Sequence, residues 1–298
     1  LTNNDIKNRR GWTKVVLSLD IEDIVYRCSN RRRKNANIEF ENKLDKNSIL
    51  REIKQLKAKY DELRDIGQLP LVLYYGTNRV VNEIPQRGHI KEFYIEDALK
   101  NCFDNSNSFR DFYEWFKTEE DIELRELREC KNYQSIRLNC VRRAISEMIE
   151  GYSDLKIKLN PSRMVVTNPN GDELRIEQLS GGYKAVLSVI ADIAKRLALA
   201  FPNSTDPLKQ EAVILIDELD LHLHPKWQKS IVKDLKRTFP NCQFIVSTHS
   251  PFIIQSLKQS ELINIEEETQ GTATGSFEGW SIEEIQEYKI GRASCRER

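Results

Sequence analysis

The 298-residue chain lacks most of the features that assign a protein quickly. It has no net charge, since Lys plus Arg and Asp plus Glu both number 46. That removes any whole-chain electrostatic argument for a nucleic acid or an anionic membrane as partner. No apolar run approaches the ~20 residues that span a bilayer. The six cysteines, at positions 28, 102, 130, 140, 242 and 295, include no CxxC pair. Their scatter suits reduced thiols in a cytoplasmic protein rather than a disulfide framework or a zinc site. Internal repeats and low-complexity tracts are missing. The first methionine is Met148, and the opening LTNNDIKNRR is too polar for a signal peptide. The last nine residues, IGRASCRER, look like a sequencing adapter translated in one frame, so Ile290–Arg298 are set aside. The chain therefore reads as a gene fragment cut at both ends.

What is present is a core and a charged surface. Hydrophobic residues make up 39% and charged residues 31%, the latter above the ~25% norm and the mark of exposed helices. TKVVLSLD (13–20) alternates weakly and predicts a strand, whereas 27–47, including Arg31–Lys34, reads as a polar loop. Ile49, Ile53, Leu56, Tyr60 and Leu63 recur at helical spacing, with Asn47 or Ser48 as cap and Gly67 and Pro70 as stops. PLVLYYG (70–76) predicts a buried strand, followed by a loop over 77–89. Residues 109–130 predict a helix, supported on its exposed face by Asp121, Arg125 and Glu129 four apart. A further helix carries Leu138, Val141, Ile145 and Met148 on one face and ends near Gly151. Residues 164–178 predict a β-hairpin turning at Asn170-Gly171. A mostly apolar helix then runs from Gly181 to Ala200.

The chemistry is concentrated after that point. In LSGGYKA (179–185), Ser180 is placed to cap a helix whose first turn holds Gly181 and Gly182. Glycine there is unfavourable by roughly 1 kcal/mol each, which makes sense if a ligand approaches the bare N–H groups. A helix N-terminus of that kind suits phosphate. In AVILIDELDLHLHPKW (212–227), a strand apolar on both faces, hence central, delivers Asp217 and Glu218 to its carboxyl edge. Asp217 suits Mg²⁺, and Glu218 stands where it could orient or deprotonate a water. A helix over 225–238 follows, then a second buried strand, CQFIVS, that ends at Ser247-Thr248-His249. Ser250 and Pro251 open the next helix. His249 lies 32 residues after Asp217 with one helix between, so the two strands are predicted to be neighbours with their tips close. Alternating buried strands and helices indicate an α/β class with a largely parallel sheet.

Together, LSGG, ILIDE and STHS resemble the signature sequence, Walker B strand and switch histidine of ABC-type ATPases. The resemblance covers about 85 residues, 179–262. It implies that Ser180, Gly181 and Gly182 contact the γ-phosphate of ATP, that Asp217 is the Mg²⁺-side acid, that Glu218 is the catalytic base and that His249 senses the γ-phosphate. LHPKW places His224 where transporters carry the Asp of their D-loop, a departure shared with the stand-alone RecF, SMC and overcoming-lysogenization-defect kinds. Tyr183 stands where transporters usually have Gln. LPLVLYYGTNR, FRDFYEWFKTEEDIE, DELDLHLHPKWQ and FPNCQFIVSTHSP further resemble the Septu-type and retron-associated ATPases of anti-phage systems, which act with an HNH-type nuclease.

The motif G-x-x-x-x-G-K-[ST] does not occur in these residues. The resemblance places that phosphate loop, and the glutamine loop, upstream of Leu1, so the fragment itself is expected to be inactive. It also implies an ABC-type P-loop sheet lacking its N-terminal strands: 1–160 would be the rest of the N-terminal lobe plus a mostly helical insertion, and 161–289 the C-terminal lobe. The insertion would carry a surface for a partner or a nucleic acid. The implied function is ATP hydrolysis by a head-to-tail homodimer that gates a partner, without a membrane. Three other readings stay open: a nucleotide-sensing scaffold with little turnover, a DNA-repair ATPase, and a metal-dependent hydrolase using Asp217, Asp220, His222 and His224.

Overall fold

A computed structural model describes residues 12–21, 24–33, 57–77, 92–103, 109–159, 161–263 and 281. The expected caps at Asn47 or Ser48, most of the 77–89 loop and the 290–298 tail lie outside the described residues. Two compact units form, Leu1–Asp65 and Ile66–Arg298.

In the first unit, β1 (Trp12–Ile21) and β2 (Ile24–Arg33) pair antiparallel, from Trp12 opposite Arg33 to Ile21 opposite Ile24. The strand predicted at 13–20 is there, but 27–33 is strand and not loop. Ile24, Val25 and Tyr26 are strand formers, and the backbone ladder they begin continues through polar residues, because its bonds do not depend on side-chain type. The periodic segment before Gly67 forms the helix α1 (57–65).

The second unit is built on a parallel three-stranded sheet in the order β3 (Val72–Tyr75), β7 (Ala212–Ile216), β8 (Cys242–Val246). β7 is central, as its continuous apolar run predicts, and β8 lies beside it in register from Ala212–Cys242 to Ile216–Val246. β8 is not buried on both faces: Gln243 is exposed and Ile245 is 52% exposed. An apolar run reports strand formation but not how many of its faces are covered. Within CQFIVS, Gln243 is the residue that fits a doubly buried strand least.

The helix α4 (Gly181–Ala200) has the bounds the sequence predicts, and every residue from Ala185 to Ala200 is buried. It covers the sheet face bearing Tyr75 and Ile216 and also packs against α2 (Phe109–Glu129) and α3 (Ile136–Met148). α2 contributes buried Phe112, Tyr113, Trp115 and Phe116, and α3 contributes Leu138, Val141, Ile145 and Met148 as expected. The interior of α4 is less apolar than its sequence suggests. Buried Asp192 pairs with Lys195 at 2.7 Å and Arg196 at 2.6 Å and accepts the Tyr75 hydroxyl at 3.0 Å. Arg196 also donates to the carbonyls of Ala98 (2.7 Å) and Lys100 (2.9 Å). Burial pushes the Asp192 carboxyl up, but Lys195 and Arg196 outweigh it and hold it well below the usual carboxylate range.

The hairpin predicted over 164–178 forms from β5 (Arg163–Thr167) and β6 (Glu173–Arg175), turning at Gly171 with φ 85°. A strand that the sequence pattern does not reveal, β4 (Ser153–Lys158), pairs with β5 to make a three-stranded antiparallel sheet. The single helix expected over 225–238 is broken into α5 (Pro225–Gln228) and α6 (Ile231–Thr238). Ser230 N–H bonds the Trp227 carbonyl at 3.0 Å, an i→i+3 bond that ends one helix and re-aims the next. α7 (Pro251–Gln255) starts where Ser250 and Pro251 predict. Among the described residues no helix is long and apolar enough to cross a membrane.

Candidate functional site

The site is assembled where β7 and β8 end. Their parallel pairing continues past the strands, with Ser247 N–H donating to the Ile216 carbonyl at 3.0 Å and Leu219 N–H to the Ser247 carbonyl at 2.9 Å. Asp217 remains tied to the sheet on its other side through its N–H to the Tyr75 carbonyl, 2.8 Å. The predicted neighbourhood of the two strand tips is thus direct. Ser247 joins them: its hydroxyl donates to Asp217 Oδ1 at 2.5 Å and accepts the Glu218 N–H at 2.8 Å. Glu218 has φ 47°, a left-handed conformation that costs a residue with a side chain about 1–2 kcal/mol. The chain turns there, out of the sheet, and both acids sit half-buried at its carboxyl edge. This is where open α/β sheets present ligand groups.

A second set of bonds ties the following residues together. Asp220 Oδ1 accepts the Thr248 hydroxyl at 2.5 Å and the His249 N–H at 3.3 Å. Ser250 caps α7 by accepting the N–H groups of Phe252 and Ile253, and its hydroxyl donates to Gln228 Oε1 at 2.6 Å. Gln228 Nε2 donates to the Leu223 carbonyl at 2.8 Å. His249 itself is exposed beside the acids.

The N-terminus of α4 adjoins the same loop. Ser180 is the cap, its hydroxyl accepting the Tyr183 N–H at 3.4 Å. The two glycines differ. A Cβ at Gly181 would meet nothing within 4 Å, whereas one at Gly182 would stand 2.5 Å from the carbonyl oxygen of His222. The openness expected at both positions holds only at Gly181. Gly182 is glycine because the backbone of the 217–224 loop passes against it. His222, with φ 65°, supplies that contact from a second left-handed position. Next along, Tyr183 packs between Tyr152, with centroids 5.1 Å apart, and Trp227 at 4.3 Å edge-on. Tyr183 therefore fastens α4 to α5.

His224 caps α5, accepting the Lys226 N–H on Nδ1 at 3.3 Å, and is exposed. Pro225 does start a helix, so His222 and His224 lie in a loop and not on one strand face. Among the described residues no group of three or more His, Cys, Asp or Glu side chains is placed to hold a metal ion. The network of Ser247, Thr248, Asp220 and Gln228 goes beyond what the sequence predicts. The one signal for it is the density of hydroxyls in STHS opposite the acids of DELD.

Residues 142–255 match the sequence family described as "AAA domain, putative AbiEii toxin, Type IV TA system". The chain is 30% identical to the "Retron Vc95 probable ATPase" of Vibrio cholerae serotype O1 biovar El Tor, across 87% of the chain and 60% of the relative. It is 35% identical to "Septu protein PtuA" of Bacillus thuringiensis, across 47% of the chain and 38% of that protein. Among solved structures, the SMC head domain from Thermotoga maritima aligns with a TM-score of 0.41 at 15% identity, covering 84% of the chain and 70% of the neighbour. The chain spans 60% or less of the length of these two curated relatives. By these matches the chain is similar to a retron probable ATPase and to Septu PtuA, and residues 142–255 match an AAA-domain family.

Proposed function

We propose that the full-length protein is an ATP-hydrolysing ABC-type ATPase of an anti-phage system, whose nucleotide-driven head-to-tail homodimer gates an HNH-type nuclease. The observation that carries this reading is the convergence of three segments on one loop. Asp217 and Glu218 leave β7, the 247–250 segment leaves β8 and bonds to both acids' backbone or carboxylate, and Gly182 at the head of α4 touches His222. Similarity to a protein named as a probable ATPase supports the reaction class.

In this reading Asp217 is the acid on the Mg²⁺ side. The fit is reasonable: a half-buried carboxylate oxygen at a strand tip is the hard donor that Mg²⁺ accepts alongside phosphates and water. Bound Mg²⁺·ATP supplies the electrophilic phosphorus and the leaving group. Glu218 accepts a proton from, or orients, the attacking water. His249 faces the terminal phosphate, and the open N–H groups around Ser180 and Gly181 meet the phosphate held by the second copy. His224 occupies the D-loop position.

The test is turnover by the full-length gene product. Glu218→Gln should lower kcat on the order of a hundredfold or more, in the range of a lost general base, while ATP still binds and now holds a stable dimer. Turnover that survives the substitution would exclude Glu218 as the general base. Negligible wild-type turnover with intact ATP binding would favour the scaffold reading in its place.

A further inference from the structure

We propose that Asp220 is the positioning residue of His249, acting with Gln228 to hold residues 217–228 and 247–250 as one unit. This rests on the nucleotide reading of the site.

His249 lies on a stretch, 247–250, that belongs to no helix or strand. Backbone bonds hold the two ends of the stretch, at Ser247 and at the Ser250 carbonyl, and between them Thr248 and His249 are held by side chains. The N–H of His249 finds an acceptor in Asp220 Oδ1 at 3.3 Å, and the Thr248 hydroxyl reaches the same oxygen at 2.5 Å. Thr248 Oγ1 in turn accepts the Ser250 N–H at 3.0 Å. From Ser250 the chain of bonds passes to Gln228 Oε1 and returns through Gln228 Nε2 to the carbonyls of Leu223 (2.8 Å) and Asp220 (3.4 Å). The circuit is closed, and it includes bonds to a carboxylate, which are about twice as strong as neutral ones. It flanks His249 on both sides, since Thr248 and Ser250 are both members. Asp220 does not need to touch a nucleotide to matter. It fixes the backbone from which the imidazole projects, and a misplacement of about 1 Å in such a group can lower a rate a hundredfold.

The experiment compares Asp220→Ala, Asp220→Asn and Thr248→Val in the full-length gene product. Three readouts are taken: ATP affinity, kcat, and amide hydrogen exchange at 248–250. Asp220→Ala should leave ATP affinity within about twofold, lower kcat on the order of ten- to a hundredfold, and speed exchange at His249 and Ser250 by about tenfold or more. Asp220→Asn keeps an oxygen that accepts from Thr248 and His249, and should recover most of the rate. Unchanged kcat and exchange in Asp220→Ala would overturn the proposal. So would parallel loss of affinity and rate with no recovery in Asp220→Asn, the pattern of a purely structural residue. If Asp220→Ala does not fold, Thr248→Val opens the same bond from the other end and is judged by the same outcomes. If the wild-type protein shows no turnover, the ATPase reading fails separately. Exchange at 248–250 then decides alone whether Asp220 holds the segment.

Discussion

The Ser247 hydroxyl donates to Asp217 Oδ1 at 2.5 Å while accepting the Glu218 N–H at 2.8 Å. One oxygen thus fixes a carboxylate on one residue and the backbone of the next, and that next backbone is left-handed. Ser247→Ala should destabilise the protein by about 0.5–1.5 kcal/mol, the usual net range for a hydrogen bond, since water reaches the freed Glu218 N–H at this exposed position. Ser247→Thr keeps the hydroxyl and should recover most of it. Urea unfolding midpoints measure both, and an unchanged midpoint in Ser247→Ala would show the bond to be idle.

Gly181 and Gly182 should respond oppositely to alanine. At Gly181 the added methyl enters open space, so helix propensity dominates and stability should rise by up to about 1 kcal/mol. At Gly182 the methyl meets the His222 carbonyl at 2.5 Å. That oxygen belongs to backbone already held left-handed and cannot withdraw freely. Overpacking of this kind costs about 1–3 kcal/mol and should outweigh the propensity gain. Denaturant melts of the two variants side by side give the comparison, and equal shifts would contradict the packing described.

A pH dependence should trace to α2. Glu120 accepts the Ile157 N–H at 3.0 Å and pairs with Arg142 at 3.3 Å, yet burial pushes its carboxyl up to about 7 against both. The folded state therefore takes up a proton between about pH 4.5, where an unfolded glutamate titrates, and pH 7. The contribution of Glu120 to stability falls as pH rises through that window and is constant above it. Its span is about 3 kcal/mol at most. Glu120→Gln should remove this slope, so the variant gains on wild type from pH 4.5 to 7. Melting temperatures across the window test it; parallel curves would assign the proton elsewhere.

The elements that could be read from sequence are those specified locally. α4 begins at a Ser-Gly-Gly cap and ends before Pro202, and both ends are where those residues put them. The apolar run of β7, the Asn170-Gly171 turn and the Ser250-Pro251 start of α7 are of the same kind. Asp217 and Glu218 at a strand tip follow from the run that precedes them. What escapes is set by partners distant in sequence. Asp192 is buried because Tyr75 lies 117 positions away, and Arg196 because Ala98 lies 98 away. Gly182 reads as a ligand contact in the sequence, yet it is the loop at His222 that lies against it. β2 and β4 carry too many polar residues for a period of two to show.

The buried ion group in α4 also constrains length. Asp192 and Arg196 grip β3 and the 98–100 carbonyls, and so fix the rotation of the helix about its own axis. An α-helix turns about 100° per residue. Inserting or deleting one residue between Gly182 and Asp192 would leave that grip intact and swing the Ser180–Gly182 end about 100° away from the 217–224 loop. The spacing between anchor and tip therefore behaves as a phase, which a change in the number of residues would shift by a full step and a change of side chain would not.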